Sequence, residues 1–335
     1  MTLAELVDRC SARLTAAGVS FGHGTACAHD EAAWLVLWRL GLPLDDLDGV
    51  AARALGADEV AQVHALVEER IATRKPAAYL TGEAWLQGVP FTVDERVIVP
   101  RSLIAEVLAE GLIDAWLGRE PAHVLDLCTG NGSLAVLAAM AWPQACVDAA
   151  DLSAGALAVA ASNLRRHGLE ERIALFQGDG LAAVATAASP WRAGSAPSVT
   201  PPASVASRRA SQTSSAPAPH DRQGTHGKHG RQWPLRPYDL IVCNPPYVNA
   251  HSMAALPPEY RAEPALALAG GDDGMDFIRP LLADAAAALT PGGALVLEIG
   301  HERAHFERAF PRLEPVWLPC SAGDDQVLLM TREAL

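Results

Sequence analysis

The chain has 335 residues, half of them hydrophobic, and a formal net charge of −13. It is long enough for two domains, but no uncharged apolar run reaches the ~18 residues that a membrane span needs. The N-terminus lacks the basic start and apolar core of a secretory signal, and the six scattered cysteines form no C-x-x-C pair. We therefore expect a cytoplasmic protein with reduced thiols, no membrane contact and no metal site, and the acidic charge disfavours extensive nucleic-acid binding.

The first 76 residues carry apolar side chains at helical spacing. Helices are predicted over about 2–19, 26–40, 45–55 and 58–74. Pro76 ends the last of them because proline cannot continue a helix. No cluster of titratable side chains stands out here, so we predict a helical domain over 1–76 that packs against the rest of the chain or presents the substrate.

Two extended stretches flank Gly88 and Pro90, and apolar residues alternate in part around them. This pattern predicts a β-hairpin linker over 77–101. Pro100 and Arg101 then open a predicted helix over 103–117.

Strand–helix alternation, which is typical of a parallel sheet, begins at His123. Strands are predicted over 124–127, 145–150, 173–177, 238–243, 294–299, 315–318 and 326–330. Helices are predicted over 133–141, 153–168 and 274–289. The turn-rich residues 321–325 favour a hairpin of the last two strands. We therefore predict an α/β domain over 102–335.

One segment interrupts this alternation. Residues 188–232 are rich in Ser, Pro, Ala and Gly, and they hold six basic residues against one acid. So few aliphatic side chains cannot offset the entropy lost on ordering, which predicts a disordered insertion. A tolerated loop expansion is the favoured interpretation, and a weak RNA contact through the positive charge is the alternative.

The tetrapeptide Asn244-Pro245-Pro246-Tyr247 follows a strand predicted to be buried on both faces. Two prolines donate no hydrogen bond and cannot continue a central strand, so the chain leaves the sheet as a stiff loop. Ligands bind at this edge of open α/β sheets. Asn244 offers an amide and Tyr247 a flat ring, which together suit a planar group that carries an NH2. An ordinary turn is the alternative interpretation.

A second loop follows the strand predicted over 124–127. Gly130 and Gly132 permit a tight turn and the close approach of a ligand, although this pattern alone is a weak signal. Asp151 ends the next strand, about 20 residues after the glycines, where a carboxylate commonly accepts from the hydroxyls of a ribose. Capping of the following helix is the alternative role for Asp151, and Ser153 suits that role better.

Asp179 follows the third predicted strand, where it is placed to accept from the amino group of an adenine. An ordinary turn aspartate is an equal alternative. A nicotinamide dinucleotide fits these acids and glycines too, but two features weigh against it. The turn carries Asp126 with no obvious counter-cation for a pyrophosphate, and the loop of Pro245 and Pro246 would crowd the nicotinamide side.

Residues 126–132, Asp151 and residues 238–248 together resemble a class I, Rossmann-like, seven-stranded S-adenosylmethionine-dependent methyltransferase. More closely, they resemble the bacterial protein-(glutamine N)-methyltransferases, and the resemblance covers essentially the whole chain outside 188–232. One branch of that family acts on release factors and typically carries Pro-Arg-Pro-x-Thr-Glu after the hairpin. Three other stretches are similar to the second branch, which acts on ribosomal protein L-three: 93–106, 256–264 and 270–276.

The resemblance implies a role for each site residue. S-adenosylmethionine would be bound by Asp126, Cys128, Thr129, Gly130, Asn131, Gly132, Asp151, Asp179, Gly180 and Asn244. Among these, 128–132 would cradle its methionine part, Asp151 its ribose, and Asp179 with Gly180 its adenine. Gly180 departs from the family, where many relatives place a larger residue.

The same resemblance implies how the substrate is held. Asn244 and the carbonyl of Pro245 would hold the side-chain amide of a glutamine, in a slot completed by Pro246 and Tyr247. The implied reaction is methyl transfer from S-adenosylmethionine to that amide nitrogen, with ribosomal protein L-three as the main substrate and a release factor as the alternative. Methylation of an adenine amine in nucleic acid suits the same slot, but it would want a basic surface, and the chain outside 188–232 is acidic.

Overall fold

The computed structural model describes residues 1–185 and 237–335. The insertion predicted over 188–232, together with the RNA contact considered for its basic residues, lies outside these residues. Within them, no helix has the length and apolar character needed to cross a membrane.

Helices form the first part of the chain. They are α1 (Leu3–Ala16), α2 (Ala28–Arg39), α3 (Leu47–Val50), α4 (Ala57–Thr73) and α5 (Ala77–Thr81). Their apolar faces pack into one buried cluster. Thr2 begins α1 through a reciprocal pair of hydrogen bonds with Glu5, which satisfies two backbone N–H groups that have no partner within the helix.

A hairpin follows the helices. Its strands are β1 (Glu83–Leu86) and β2 (Val89–Thr92), joined by Gln87 and Gly88. Both joining residues have positive φ, of 50° and 73°, as expected for the two-residue turns that match the twist of the flanking strands. Two short helices come next, α6 (Ile104–Ala109) and α7 (Asp114–Leu117).

Two of the predicted helices differ strongly in length from the structure, and the helix predicted over 274–289 begins only at Ile278. The helix predicted over 45–55 is only the single turn α3, because the carbonyls of Ala51 and Arg53 accept hydrogen bonds from the first residues of the chain. The helix predicted over 103–117 is broken into α6 and α7 at Gly111, whose φ of 69° is a left-handed conformation that ends a helix.

The rest of the chain alternates strands with helices. The strands are β3 (His123–Leu127), β4 (Cys146–Asp151), β5 (Ile173–Gln177), β6 (Tyr238–Cys243), β7 (Leu289–Glu298), β8 (Val316–Cys320) and β9 (Gly323–Thr331). The helices are α8 (Ser133–Ala141), α9 (Ala154–His167), α10 (Ala182–Ala185), α11 (Ala250–Ala255), α12 (Ile278–Ala288) and α13 (Arg303–Ala309). Two short 3-10 helices, Pro258–Ala262 and Ala265–Ala267, follow α11.

Seven strands of the described chain form one sheet in the order β5-β4-β3-β6-β7-β9-β8. Strands β3 to β7 are parallel, and β9 runs antiparallel between β7 and β8. Buried apolar clusters cover both faces, which explains why the central strands read as continuous apolar runs. The predicted Rossmann-like, seven-stranded α/β fold with a final hairpin is confirmed.

Parallel pairing brings the predicted site loops to one edge of this sheet. Leu127 pairs with Cys243, and Asp151 pairs with Gln177, each at or near the end of its strand. The turn after β3, the residues after β5 and the loop after β6 therefore all leave the sheet at its carboxyl edge, where open α/β sheets bind ligands.

A buried ion-pair network joins the helical part of the chain to the segment that follows β6. Arg70 donates to Glu31 at 2.8 Å and lies 3.6 Å from the carboxylate of Glu259. The same carboxylate lies 3.3 Å from Arg74 and accepts from the N–H of Ser20 at 3.2 Å. Arg70, Glu31 and Glu259 are at most 1% exposed. Charge pairing therefore fixes this segment against the helices.

Glu263 forms a second link in the same region. It accepts two hydrogen bonds from Arg101, at 2.6 and 2.7 Å, and one from the N–H of Val99 at 2.9 Å. His23 lies 3.6 Å from this carboxylate, and its ring packs against Tyr260 with centroids 4.3 Å apart. Burial alone would raise the pKa of Glu263, but the nearby His23 and the hydrogen bonds from Arg101 bring it down to about 2.

Replacing Glu259 by alanine should lower the free energy of unfolding by about 3 kcal/mol, because Arg70 then stays buried with one carboxylate fewer. Urea unfolding of Glu259→Ala beside the parent protein measures this difference. Glu314→Ala removes an exposed carboxylate and should stay within about 0.5 kcal/mol of the parent. Equal stability of the two variants would contradict the structural importance of this network.

Candidate active site

A cavity of about 140 Å³ opens at the carboxyl edge of the sheet. Seven predicted site residues lie in its wall: Cys128, Gly130, Asp151, Asp179, Gly180, Asn244 and Pro246. The remaining predicted residues lie outside the wall: Asp126, Thr129, Asn131, Gly132, Pro245 and Tyr247. The fold thus brings four separate loops to one cavity.

The turn after β3, residues 128–132, is tightly wound; we call it the glycine turn. Cys128, Gly130 and Gly132 have left-handed φ angles of 58°, 55° and 80°. A non-glycine residue seldom adopts this conformation, so the backbone at Cys128 is strained and must be held by its surroundings. A Cβ on Gly132 would approach Ala160 to 3.2 Å, so glycine here lets the turn pack closely on α9.

Asp151 stands at the end of β4 and holds the glycine turn in place. Its carboxylate accepts from the N–H of Gly130 at 2.9 Å and from the N–H of Ser153 at 2.8 Å. Ser153, not Asp151, caps α9, because its hydroxyl accepts from the N–H of Ala156 at 3.1 Å. Burial raises the pKa of Asp151, although the N–H groups that it accepts from oppose the shift. The carboxylate oxygens of Asp151 have further lone pairs, which can accept hydrogen bonds from a ligand in the cavity.

Asp126 supports the same turn from behind. It is fully buried, accepts from the hydroxyl of Thr129 at 2.5 Å and from the N–H of Ala135 at 3.0 Å, and does not line the cavity. Burial raises its pKa to about 7 despite these two hydrogen bonds, and the charge of Asp151 adds to the rise. Asp126 therefore fixes the conformation of the turn and lies out of reach of a ligand in the cavity.

Asn163 of α9 connects the glycine turn to the hairpin. Its amide nitrogen donates to the carbonyls of Asn131, at 2.9 Å, and Thr92, at 3.0 Å, and its oxygen accepts from the N–H of Thr92 at 2.7 Å. The side-chain oxygen of Asn131 accepts from the N–H of Ser133 at 3.2 Å. In the described part of the chain the buried amide nitrogen of Asn131 has no acceptor, so one donor of the turn stays unused.

Asp179 and Gly180 follow β5 at the far end of the cavity. Asp179 is exposed, and Gly180 adopts a left-handed φ of 50°. A Cβ on Gly180 would lie 3.6 Å from the ring of Phe277, which also lines the cavity. A larger residue at position 180 would point toward Phe277. Phe277 therefore supplies an apolar surface on that side.

The loop of residues 244–247, the double-proline loop, presents a polar side chain to the cavity. Asn244 is half-buried, and its amide makes no hydrogen bond to any residue that the structure describes. A glycine-rich segment packs directly behind this loop: a Cβ on Gly270 would lie 2.7 Å from Cα of Tyr247, and a Cβ on Gly274 would lie 2.3 Å from its carbonyl oxygen. These contacts give Gly270 and Gly274 a packing role behind Tyr247 of the double-proline loop.

Tyr247 is tied to the neighbouring strand. Its hydroxyl donates to Glu298 at 3.2 Å, and a Cβ on Gly300 would lie 2.5 Å from its ring. Glu298 also accepts from the hydroxyl of Ser102 at 2.5 Å and from the N–H of Leu103 at 2.9 Å. Burial raises the pKa of Glu298, which these hydrogen bonds oppose. The ring is thereby fixed, and its stacking on a substrate stays a prediction.

The sequence of this chain is similar to that of known proteins. A family model described as "Methyltransferase small domain" matches residues 105–189. The ribosomal protein uL3 glutamine methyltransferase of Bordetella pertussis is 48% identical, over 100% of this chain and 96% of that protein. Proteins of the same description from Burkholderia pseudomallei and Neisseria gonorrhoeae are 47% and 41% identical, over 98% and 100% of this chain and 94% and 95% of their own lengths.

This chain belongs to the ribosomal protein uL3 glutamine methyltransferase family. The resemblance inferred from residues 126–132 and 238–248 is therefore confirmed, and so is its assignment to the branch that carries the stretches 93–106, 256–264 and 270–276. The methyltransferase fold of the family explains why the ligand loops cluster at the carboxyl edge of the sheet.

Sequence reasoning missed several residues of this methyltransferase site. Arg96, Val97 and Ile98 line the cavity from the segment after the hairpin, and Leu266 and Phe277 line it from the segments after β6. The partial alternation of Val93, Val97 and Val99 indicated only that part of the first segment faces inward. No spacing pattern marks Phe277, because its position depends on how the chain folds back over β5.

Asp126 should make the stability of this methyltransferase depend on pH. The folded protein keeps the proton of Asp126 up to about pH 7, whereas the unfolded chain releases it near the ordinary value of 3.8. The folded state thus binds more protons in this window, so stability falls as pH rises through it. Relative to Asp126→Asn, the parent should lose about 2 kcal/mol between pH 5.5 and 8.

Urea unfolding of both proteins at the two pH values measures this difference, and the contributions of titrating groups that do not interact with Asp126 cancel in the comparison. A parent and variant that change equally with pH would show that Asp126 is ionised in the folded protein.

Proposed function

We propose that this protein transfers a methyl group from S-adenosylmethionine to the side-chain amide nitrogen of a glutamine in ribosomal protein uL3. The observation that carries the proposal is the amide of Asn244, which stands without a partner in the described chain beside the glycine turn. Relatives whose names give this activity match the chain over essentially its full length. A ribosomal substrate also implies a cytoplasmic location.

The residues of the cavity offer chemical groups that suit each part of S-adenosylmethionine. The glycine turn offers a strained backbone without bulky side chains, and Asp151 offers carboxylate oxygens for two ribose hydroxyls. Asp179 offers an acceptor for the amino group of adenine, and Leu152 with Phe277 offers apolar surface for its faces. When bound, S-adenosylmethionine supplies an electrophilic methyl group on a sulfonium.

The residues of the chain act mainly by positioning the substrate amide against the cofactor. An amide nitrogen is a poor nucleophile, so the alignment of nitrogen with the methyl carbon and sulfur matters most, and good orientation can lower a barrier by about 7–11 kcal/mol. Asn244 and the carbonyl of Pro245 would accept from the two N–H bonds of the glutamine amide and stabilise the positive charge that develops on its nitrogen. The proton becomes acidic once the methyl group has moved, so no strong base is required.

Asp151→Ala should weaken S-adenosylmethionine binding by about tenfold or more, because ribose hydroxyls then lose an acceptor and the N–H of Gly130 loses its partner. Isothermal titration calorimetry measures the dissociation constant. Ser153→Ala removes the cap of α9 from the same loop and should change affinity by less than about threefold. Unchanged affinity of Asp151→Ala would overturn its assignment to the ribose.

Asn244→Ala should lower methyl transfer to uL3 by about 100- to 1,000-fold, as for loss of one transition-state hydrogen bond, and should weaken cofactor binding far less than that. Transfer of a tritiated methyl group to purified uL3, to a release factor and to DNA measures both activity and substrate choice. Incorporation by the parent into the release factor or DNA but not into uL3 would overturn the proposal.

Asn244→Asp is the sharper variant. Aspartate still accepts from an NH2 but cannot donate to the carbonyl of a glutamine amide, so most transfer to uL3 should be lost as well. Parent-like activity of Asn244→Asp on uL3 would show that the amide of Asn244 does not need to donate a hydrogen bond to the glutamine carbonyl.

A further inference from the structure

A second concave site lies in the helical part of the chain, apart from the cavity at the sheet. It is a groove of about 760 Å³ bounded by α2, by the residues that lead into α3, and by Trp85 of β1. We call it the acidic groove. None of the residues in its wall lines the cavity described above.

The floor of the acidic groove is apolar and aromatic. Trp34 and Leu37 of α2 form it together with Leu44 and Leu47. Trp85 borders the groove from the hairpin and is 45% exposed. Aromatic side chains that remain exposed beside a groove are common at sites of protein association.

The rim carries negative charge. Four carboxylates line the groove, those of Asp30, Asp45, Asp46 and Asp48, and no lysine or arginine does. Asp46 caps α3 through the N–H of Gly49, but Asp45 and Asp48 have no cationic partner within the described part of the chain. The unneutralised charge of the rim therefore faces solvent.

The carboxylates of the rim do not converge on one point. Residues 1–185 and 237–335 contain no group of three or more His, Cys, Asp or Glu placed to hold a metal ion. Charges spread along an apolar groove instead match several cationic side chains spaced along a polypeptide, because each carboxylate can pair with a separate lysine or arginine.

We propose that the acidic groove binds a basic, extended segment of the ribosomal protein substrate, with an apolar side chain of that segment seated between Trp34 and Trp85. The proposal rests on the proposed function. A protein that binds ribosomal RNA must carry lysine and arginine to neutralise phosphates, so before assembly it exposes positive charge that this rim complements. The groove thereby gives the enzyme affinity for its substrate outside the glutamine slot.

One buried apolar cluster connects the two sites. Trp34 packs against a buried cluster that contains Val97, and Val97 lines the cavity at the sheet. One buried apolar cluster therefore lies between the acidic groove and the cofactor cavity. A segment held in the groove would keep the neighbouring surface of its protein near Asn244.

Charge reversal of the rim tests this proposal. Asp45→Lys with Asp48→Lys should weaken the binding of purified uL3 to the full-length enzyme by about tenfold at low ionic strength, and high salt should shrink the difference. Fluorescence anisotropy of labelled uL3 measures the dissociation constant. Asp8→Lys with Glu69→Lys reverses two exposed acids of the same helical region outside the groove and should leave binding within about twofold of the parent.

Trp85→Ser is a second variant that changes no charge, and it should weaken binding at both low and high salt because it removes an apolar contact. S-adenosylmethionine affinity, measured in parallel, should be the same for all variants. Three results would each overturn the proposed role of the groove. They are parent-like uL3 binding by both groove variants, equal losses in the groove and control pairs, and absence of uL3 binding by the parent. Methyl transfer is scored separately, so transfer to uL3 with unchanged binding in the variants would leave the proposed function intact.

Discussion

The parallel pairing of β3 with β6 is the constraint on which the site depends. Leu127 lies opposite Cys243, so the chain leaves both strands at the same level of the sheet. The next residues, Cys128 and Asn244, therefore line one cavity although they are far apart in the sequence. A register slip of one residue would turn every side chain of β6 to the opposite face and separate the two loops.

Carboxylates serve two different purposes in this structure. At the glycine turn, Asp126 and Asp151 accept from backbone N–H groups, and burial raises the pKa of both. Where the helices meet the segment after β6, Glu259 and Glu263 pair with arginines, and the pKa of Glu263 is low. The first arrangement shapes a ligand cavity, and the second holds two parts of the chain together.

The sequence predicted the parts of the site that depend on chemistry at strand ends. Asp151 and Asn244 were identifiable because a polar residue directly after a buried strand must lie at the edge of a parallel sheet. The tie between Tyr247 and Glu298 was not identifiable, because it depends on β6 lying beside β7. The helix predicted over 103–117 is broken at Gly111, because the left-handed conformation of this glycine ends a helix despite the apolar spacing around it.

The position of a glutamine amide relative to Asn244 tests the central claim most directly. A crystal structure of the protein with S-adenosylhomocysteine and a glutamine-containing peptide of uL3 would measure it. We expect the glutamine nitrogen within hydrogen-bond distance of the Asn244 oxygen, about 2.7–3.2 Å, and facing the sulfur across the cavity. A glutamine amide bound out of reach of Asn244, with the cofactor seated on the glycine turn, would contradict the account.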